Sequence, residues 1–366
     1  MQNQTEYAAS LLKLVSGTEK NSEPSMKYVR LGKSGLKISK VILGAMGYGD
    51  SKVESWILEE EKALPLLEHA YKKGINTWDT ADFYSLGKSE EIIGKAIKKY
   101  EIPRSNLVIL TKCYFGVDPA IIAAGEINVP MTMTNDGFMV NRVGLSRKHI
   151  LDAVDASVAR LGTYIDVLQI HRLDRDVPAE EIMKALNDVV ESGKVRYLGA
   201  SSMAAWEFQM LNNIAEKHSW HKFISMQNYH NLLYREEERE MHPYCEHAGI
   251  GIIPWSPLAR GTLARPWKTP SSNSVRSQND RFTDLITSPG DKAVVDRLEE
   301  VAKKLNKSMA TVATAWSLRK GVNPILGLQT KERIDEAVEM VNFDLSDEDM
   351  KLLEEPYKPK SAAPVF

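Results

Sequence analysis

Eight short apolar runs, each of strand length and each followed by a segment of helical period, constrain this 366-residue chain more than any other feature. They lie at 41–46, 76–81, 107–112, 165–171, 195–201, 223–229, 251–256 and 323–328. Between them the spacing predicts helices over 59–73, 89–99, 147–160, 179–191, 204–217, 236–247 and 291–306, then 308–319 and 331–340. Parallel strands need a crossover between neighbours, so this alternation is the pattern of a parallel sheet. A doubly wound open sheet and a closed (β/α)8 TIM barrel both satisfy it. Eight units in one series favour the barrel, and no G-x-G-x-x-G follows an early strand as the usual dinucleotide fold would require. Ahead of the series, "KYVRLGKSGLKIS" alternates around Gly32 and Gly35 and predicts a small hairpin.

Helix ends are written clearly in places. "SEEIIGKAIKKY" places acids in its first turn and lysines in its last, as the helix dipole favours. "SRKHILDAVDASVARLG" opens on a candidate cap, Ser146, and stops at Gly162. Residues 1–25 show neither a basic leader nor a long apolar core and read as a tail or peripheral helix. The barrel is expected over 26–357, with 358–366 as a C-terminal tail. Two stretches break the rhythm, 115–146 and 259–290. Loops this long are often lids or substrate walls, the plain alternative being surface insertion. The second is basic near Arg260, Arg265 and Lys268, soon after a strand.

A formal charge of −2 with 26% charged residues argues against a nucleic-acid binder. No run approaches the ~18–20 apolar residues of a membrane span. Two distant cysteines, Cys113 and Cys245, fit a reducing compartment rather than a disulfide scaffold, and a cytoplasmic location is expected. "HPYCEH" at 242–247 carries three ligand-type side chains but no fourth, so it reads as a helix of mixed burial and no metal is expected.

Polar residues at strand ends then draw the eye, because that rim is where a barrel holds its site. Asp79 falls near the end of the second run and Tyr84 follows it, Lys112 ends the third and His171 the fourth. Singly they could be a cap, a packed ring, a solvated amine and a rim histidine. Together they make acid catalysis beside a carbonyl. A phenol of pKa ~10 is a poor proton donor, a lysine cation favours its phenolate, and an aspartate can hold that lysine charged. A histidine opposite can hydrogen-bond the substrate oxygen and share in proton relay. The second half offers cofactor contacts. Trp255 presents a flat face, and Gln227 with Ser201 or Ser202 could satisfy a carboxamide. Backbone N–H groups in "SPLARG" and after Gly327 suit phosphate, with Lys331 and Arg333 adding positive charge. Trp255 as ordinary packing and "GASS" as an ordinary turn remain the alternatives.

The chain resembles the aldo-keto reductase superfamily, in its fungal aryl-alcohol-dehydrogenase-like branch related to potassium channel β subunits. The resemblance runs from about 26 to 357 through "RLGKSGLKISKVILGAMGYG", "TWDTADFY", "ILTKCY", "IDVLQIHR", "ESGKVRYLGASS", "FISMQNYHNLLYREEEREM", "IPWSPLARGTLARPW" and "PILGLQTKER". It implies a TIM barrel holding extended NADP(H) without a Rossmann domain. Tyr84 would be the catalytic acid, with Asp79, Lys112 and His171 as partners. Trp255 would stack on nicotinamide, and Ser201, Ser202 and Gln227 would meet its carboxamide. Met46 and Tyr48 would lie near the mouth. Ser256, Leu258, Gly261 and Leu263, joined by Arg265, would form the loop over the pyrophosphate. Arg333 matches the arginine of many NADPH users, and Glu336 sits on the adenine side. Two departures stand out: Tyr229 and His230 alter the order after the sixth-strand glutamine, and Ala337 replaces an expected asparagine after Glu336.

The resemblance implies reduction of aldehydes or ketones, or aryl alcohol oxidation, by hydride transfer. Its alternative is a cofactor-binding regulatory protein like channel β subunits, with slow turnover. A barrel hydrolase or isomerase lacks a metal cluster or paired carboxylates in the expected place. The expected partner is a small carbonyl or alcohol, with rim aromatics such as Tyr48 and Phe83 suiting an apolar or aromatic substituent; oligomeric state stays open.

Overall fold

The computed structural model describes residues 25–118, 120–121, 133–267 and 287–362. The expectations for 1–24, for most of the second insertion including Lys268, and for the last four residues lie outside them.

An antiparallel hairpin, β1 (Tyr28–Arg30) with β2 (Lys37–Ser39), precedes the main sheet. Eight parallel strands follow: β3 (Ile42–Gly44), β4 (Thr77–Asp79), β5 (Val108–Cys113), β6 (Ile165–Ile170), β7 (Val195–Ser201), β8 (Phe223–Gln227), β9 (Gly251–Ile252) and β10 (Ile325–Leu326). Their order is β10-β3-β4-β5-β6-β7-β8-β9. Two backbone bonds join the ends: Asn323 N–H donates to the Ile252 carbonyl (2.9 Å) and Ile325 N–H to that of Pro254 (3.0 Å). The sheet therefore closes into a (β/α)8 barrel. Six of the strands are shorter than their apolar runs because those runs continue into turns, whereas β5 and β7 match theirs in length. Pro254, with no N–H, ends regular pairing on β9.

Helices α1 (Glu60–Lys72), α2 (Lys88–Lys99), α3 (Arg147–Leu161), α4 (Ala179–Glu191), α5 (Ala205–His218), α6 (Met241–Ala248), α7 (Lys292–Leu305), α8 (Met309–Arg319), α9 (Lys331–Met340) and α10 (Asp347–Glu354) surround it. Ser146 caps α3 by accepting from the His149 N–H at 3.2 Å, and Gly162 ends that helix. The helix expected over 236–247 is two pieces, a 3-10 turn Glu236–Glu238 and then α6. Pro243 explains the break, since proline is tolerated only in a helix's first turn. The three glutamates before it are held elsewhere: Glu236 by Tyr357, Glu237 by Asn228 and Glu238 by Arg235 and His230. Helix α10, capped by Ser346, was not among the predicted helices.

The hairpin plugs one end of the barrel. Leu31 and Ile38 pack with Ile42, Val108, Leu110, Val167, Ile253 and Ile325, which fill the bore on that side. The opposite end, where the strands' carboxyl ends emerge, is left for a site. Of the first insertion, Ile121, Met139 and Val143 pack with Leu86, so its described part forms a wall.

Candidate active site

Strand β4 ends in buried Asp79, and the chain then runs on beside β5. The Thr80 N–H donates to the Leu110 carbonyl (2.8 Å), and the Asp82 N–H to that of Lys112 (3.1 Å). Ser85 and Leu86 then take left-handed backbone angles (φ 48° and 49°) to turn the chain into α2. Non-glycine residues adopt this conformation at a cost, and the surrounding contacts must hold it. The result brings Tyr84 back over Lys112.

Lys112 is buried and spends its three ammonium donors there. It donates to Asp79 Oδ2 at 2.7 Å, to the Thr80 carbonyl at 2.8 Å and to the Tyr84 hydroxyl oxygen at 3.2 Å. The other Asp79 oxygen accepts from Gln169 Nε2 (3.0 Å) and Gln227 Nε2 (2.8 Å), and those two amides bond each other at 3.0 Å. Gly199 makes this possible. It pairs with Gln169 across β6 and β7, and a Cβ on it would stand 2.9 Å from Gln169 Cγ.

Burial raises the Tyr84 pKa above that of an ordinary phenol, with the Lys112 cation pulling it down and the Asp79 carboxylate pushing it up. The cation therefore eases proton loss without producing a phenolate at rest, in keeping with the part the sequence suggested for it. Burial presses against charge on Lys112, but Asp79 and Tyr84 outweigh it and its pKa lies above the usual lysine value. His171 stands edge-on to Tyr84 with ring centroids 5.9 Å apart. Burial first, then the Arg172 and Lys112 cations, hold its pKa well below the usual value. The imidazole is neutral around pH 7, so it can hydrogen-bond an oxygen. Its Nδ1 is buried without a partner.

These groups open into a cavity of about 1500 Å³ at the carboxyl end of the barrel. Asp79, Tyr84 and His171 line its floor, with Met46, Ser201, Gln227 and Trp255 around them. Trp255 is held face to face on Tyr229 (centroids 4.5 Å apart, 24° between planes), and its Nε1 donates to Ser202 Oγ at 3.3 Å. Beyond it, Ser256, Leu258, Gly261 and Arg265 line one wall, and Gly327, Arg333 and Glu336 the far end. The loop between is built from left-handed residues: Ser256 (φ 52°), Ala259 (45°), Arg260 (56°) and Gly261 (102°). Such alternations turn successive N–H groups to one side and suit an anion.

Four residues expected at the site stand off the cavity wall. Lys112 lies behind Tyr84. Ser202 supports Trp255 from behind, Leu263 is buried in the cluster with α7 and α8, and Lys331 is exposed at the first turn of α9. Tyr48 is not a rim aromatic: it is wholly buried in the main core and its hydroxyl donates to the Leu328 carbonyl. Glu336 accepts from the Thr311 hydroxyl at 2.9 Å and from Ser308. Among the described residues no three His, Cys, Asp or Glu side chains converge as a metal would need, and no helix is long and apolar enough to cross a membrane.

A family model described as "Aldo/keto reductase family" matches residues 40–358. The chain belongs to the aldo/keto reductase family. It is 63% identical over 346 residues to the versiconal hemiacetal acetate reductase of Aspergillus parasiticus, covering 93% of this chain and 99% of that one. A Schizosaccharomyces pombe protein provisionally named an aryl-alcohol dehydrogenase is 57% identical over 91% of this chain and 96% of its own. An aldo-keto reductase of Alternaria alternata is 47% identical over 90% and 91%. This aldo/keto reductase thus falls in the fungal aryl-alcohol-dehydrogenase-like branch. It is an oxidoreductase, and the family's reaction is NADPH-dependent carbonyl reduction on small organic carbonyls and alcohols.

Sequence reasoning missed Gln169, Gly199, Phe115 and Arg172 at this reductase's site. Gln169 had a readable signal. It is a polar residue inside a fully buried strand, two positions before His171 and so on the same face.

Proposed function

We propose that the protein reduces aldehydes or ketones with NADPH, and oxidises aryl alcohols in reverse, with Tyr84 as the general acid. The observation that carries this is the Lys112 ammonium bonded at once to Asp79 and Tyr84 in a buried site. Tyr84 holds its proton at rest and can pass it to a carbonyl oxygen, and the cation beside it stabilises the phenolate left behind. Asp79 keeps Lys112 oriented. Neutral His171 steadies the same substrate oxygen by a hydrogen bond. When bound, NADP(H) supplies the hydride to the carbonyl carbon, so that hydride and phenolic proton together give the alcohol.

The chain's own residues fit that cofactor. Trp255 offers a ring face braced by Tyr229. Gln227 has committed its amide N–H groups to Asp79 and Gln169, leaving its oxygen, with Ser201, for a carboxamide. The left-handed loop of Ser256, Leu258 and Gly261, with Arg265 beside it and Leu263 anchoring it, suits a pyrophosphate. Arg333 near the cavity's far end suits a ribose phosphate, with Gly327, Lys331 and Glu336 around it, and Met46 lines the reacting end. The aryl-alcohol names of relatives favour aromatic substrates.

Adding an aromatic aldehyde to purified protein with excess NADPH should consume the nicotinamide absorbance. Binding without turnover would instead favour the regulatory reading drawn from channel β subunits. NADPH should also bind at least tenfold more tightly than NADH by fluorescence titration, since a charge-assisted phosphate pair is worth about 1.5 kcal/mol or more. Equal affinities would refute the role given to Arg333.

A further inference from the structure

Arg172, the residue after His171, is a half-buried guanidinium on the cavity wall with most of its donors unspent. Its Nη1 donates to the His171 carbonyl at 2.6 Å, and that is its one hydrogen bond among the described residues. Several other arginines of the chain behave differently. Arg104 pairs with Asp166, Arg142 with Asp118, Arg160 with Glu90 and Arg175 with Glu207. The nearest acid in sequence, Asp174, is turned to backbone: it accepts from the N–H groups of Leu145 (2.8 Å) and Asp176 (3.1 Å). A guanidinium carries five N–H donors, and a desolvated one without a carboxylate is costly to keep.

What stands beside it narrows the ligand. The Arg172 guanidinium carbon is 5.9 Å from the Phe115 ring centroid. Phe115 lies 5.0 Å from the His171 ring and 5.0 Å from that of Phe83. The wall next to Tyr84 is therefore two phenyl rings and one unspent planar cation. An apolar ring fits against the phenyls, and an oxygen anion on that ring meets the fork of the guanidinium, which is shaped for carboxylate.

We propose that Arg172 is a specificity residue that pairs with an oxyanion carried on the ring of an aromatic carbonyl substrate, so that acid-bearing aromatic aldehydes are the preferred class. This rests on the reductase reading above. The oxyanion is a carboxylate or an ionised phenol, and both present the same acceptor to Arg172.

The test compares matched aldehydes: 2-carboxybenzaldehyde against its methyl ester, and 2-hydroxybenzaldehyde against 2-methoxybenzaldehyde. The kcat/KM ratio of each pair is read within one enzyme. For the carboxylate pair the wild-type ratio is expected to be at least about tenfold, the scale of a hydrogen bond to a charged group, and carried by KM. It should fall toward one in Arg172→Met and be partly kept in Arg172→Lys, which retains the charge but not the fork. A carboxylate preference holds at neutral and mildly alkaline pH alike, whereas a phenolate preference grows with pH as the phenol ionises. A wild-type ratio near one in both pairs overturns the proposal. So does an equal ratio in Arg172→Met, which would mean that the guanidinium only holds the His171 carbonyl. If Arg172→Met does not fold, the wild-type and Arg172→Lys ratios decide. Benzoate and methyl benzoate, titrated by tryptophan fluorescence with NADP present, give a reading independent of turnover. Benzoate should bind the more tightly, and Arg172→Lys should narrow the gap. Failure to turn over any aldehyde would overturn the reductase reading alone, and the benzoate titration would still judge Arg172.

Discussion

Taking the amine from Lys112 leaves the Asp79 carboxylate buried and facing Tyr84 with no cation between them. Breaking a buried pair from one side typically costs about 3–5 kcal/mol, so Lys112→Met should lose stability on that scale in urea unfolding. Its chemistry should suffer in a directed way. Lys112 pulls the Tyr84 pKa down, so its removal raises that pKa further and makes the phenol a weaker acid. Alcohol oxidation, which needs the phenolate, should then start its alkaline rise at a higher pH than in wild type, and an unmoved rise would show that Lys112 does not act through Tyr84. A milder variant reaches the same site from behind: Gly199→Ala puts a Cβ 2.5 Å from Ser225 Oγ and 2.9 Å from Gln169 Cγ and should disturb the amides that orient Asp79, lowering kcat without touching the cofactor loop. Equal kcat in Gly199→Ala would remove Gln169 from the orienting set. Asp79, Lys112 and His171 were legible because each interrupts an apolar run toward its end, and Tyr84 because it follows one closely. Gln169 could be read as a buried polar residue on one face with His171, but its bonds to Asp79 and Gln227, like the role of Gly199, lie in pairing across β4, β6, β7 and β8, which no local spacing records. Tyr48 misled for the opposite reason, since a tyrosine whose hydroxyl finds a buried carbonyl looks in sequence like any rim aromatic.

Among the elements, the loop after β9 carries most of the cofactor argument. Gly261 has φ 102° and open space where a Cβ would go, so a substitution there acts through backbone conformation alone. Gly261→Val should weaken NADPH binding, at a conformational cost of about 1 kcal/mol or more, while Gly261→Asn should keep more of the affinity because asparagine tolerates left-handed angles. Equal loss in both, measured by fluorescence titration, would mean that the loop's shape does not set the affinity. The eight strands and most helices were legible through period alone. The break before α6 required weighing Pro243 against three acidic residues whose partners are distant in sequence. Helix α10 carries a Ser346 cap and acidic first turn that could have been read, but it follows the barrel series and falls outside its repeat.

At the scale of the whole molecule, the hairpin closes one end of the barrel, and the cavity lined by Tyr84 and Arg333 opens at the other. The barrel was inferred from a count of units, and closure by Asn323 and Ile325 could not be read from composition or period. Packing also sets a pH response. Burial lowers the pKa of His149, His171 and His230, and holds that of His242 down to about 3, with the neighbouring His230 and then the Lys320 cation adding to it and Glu238 opposing. An unfolded histidine titrates near ~6.5, so the unfolded chain takes up protons that the fold refuses. This stability is whole above that pH and drains as pH falls toward the folded values. Burial of Glu237, raised to about 7, works the other way and loses its contribution as pH rises through that value. The melting temperature of His242→Phe should therefore fall less steeply than that of wild type below about pH 6.5, and parallel curves would contradict the assignment. The most direct measurement of the central claim is a single turnover of aromatic aldehyde by Tyr84→Phe saturated with NADPH. The expected result is undiminished cofactor binding with hydride transfer slowed by about 10²–10⁴, the contribution of a positioned general acid. Hydride transfer at the wild-type rate would contradict it.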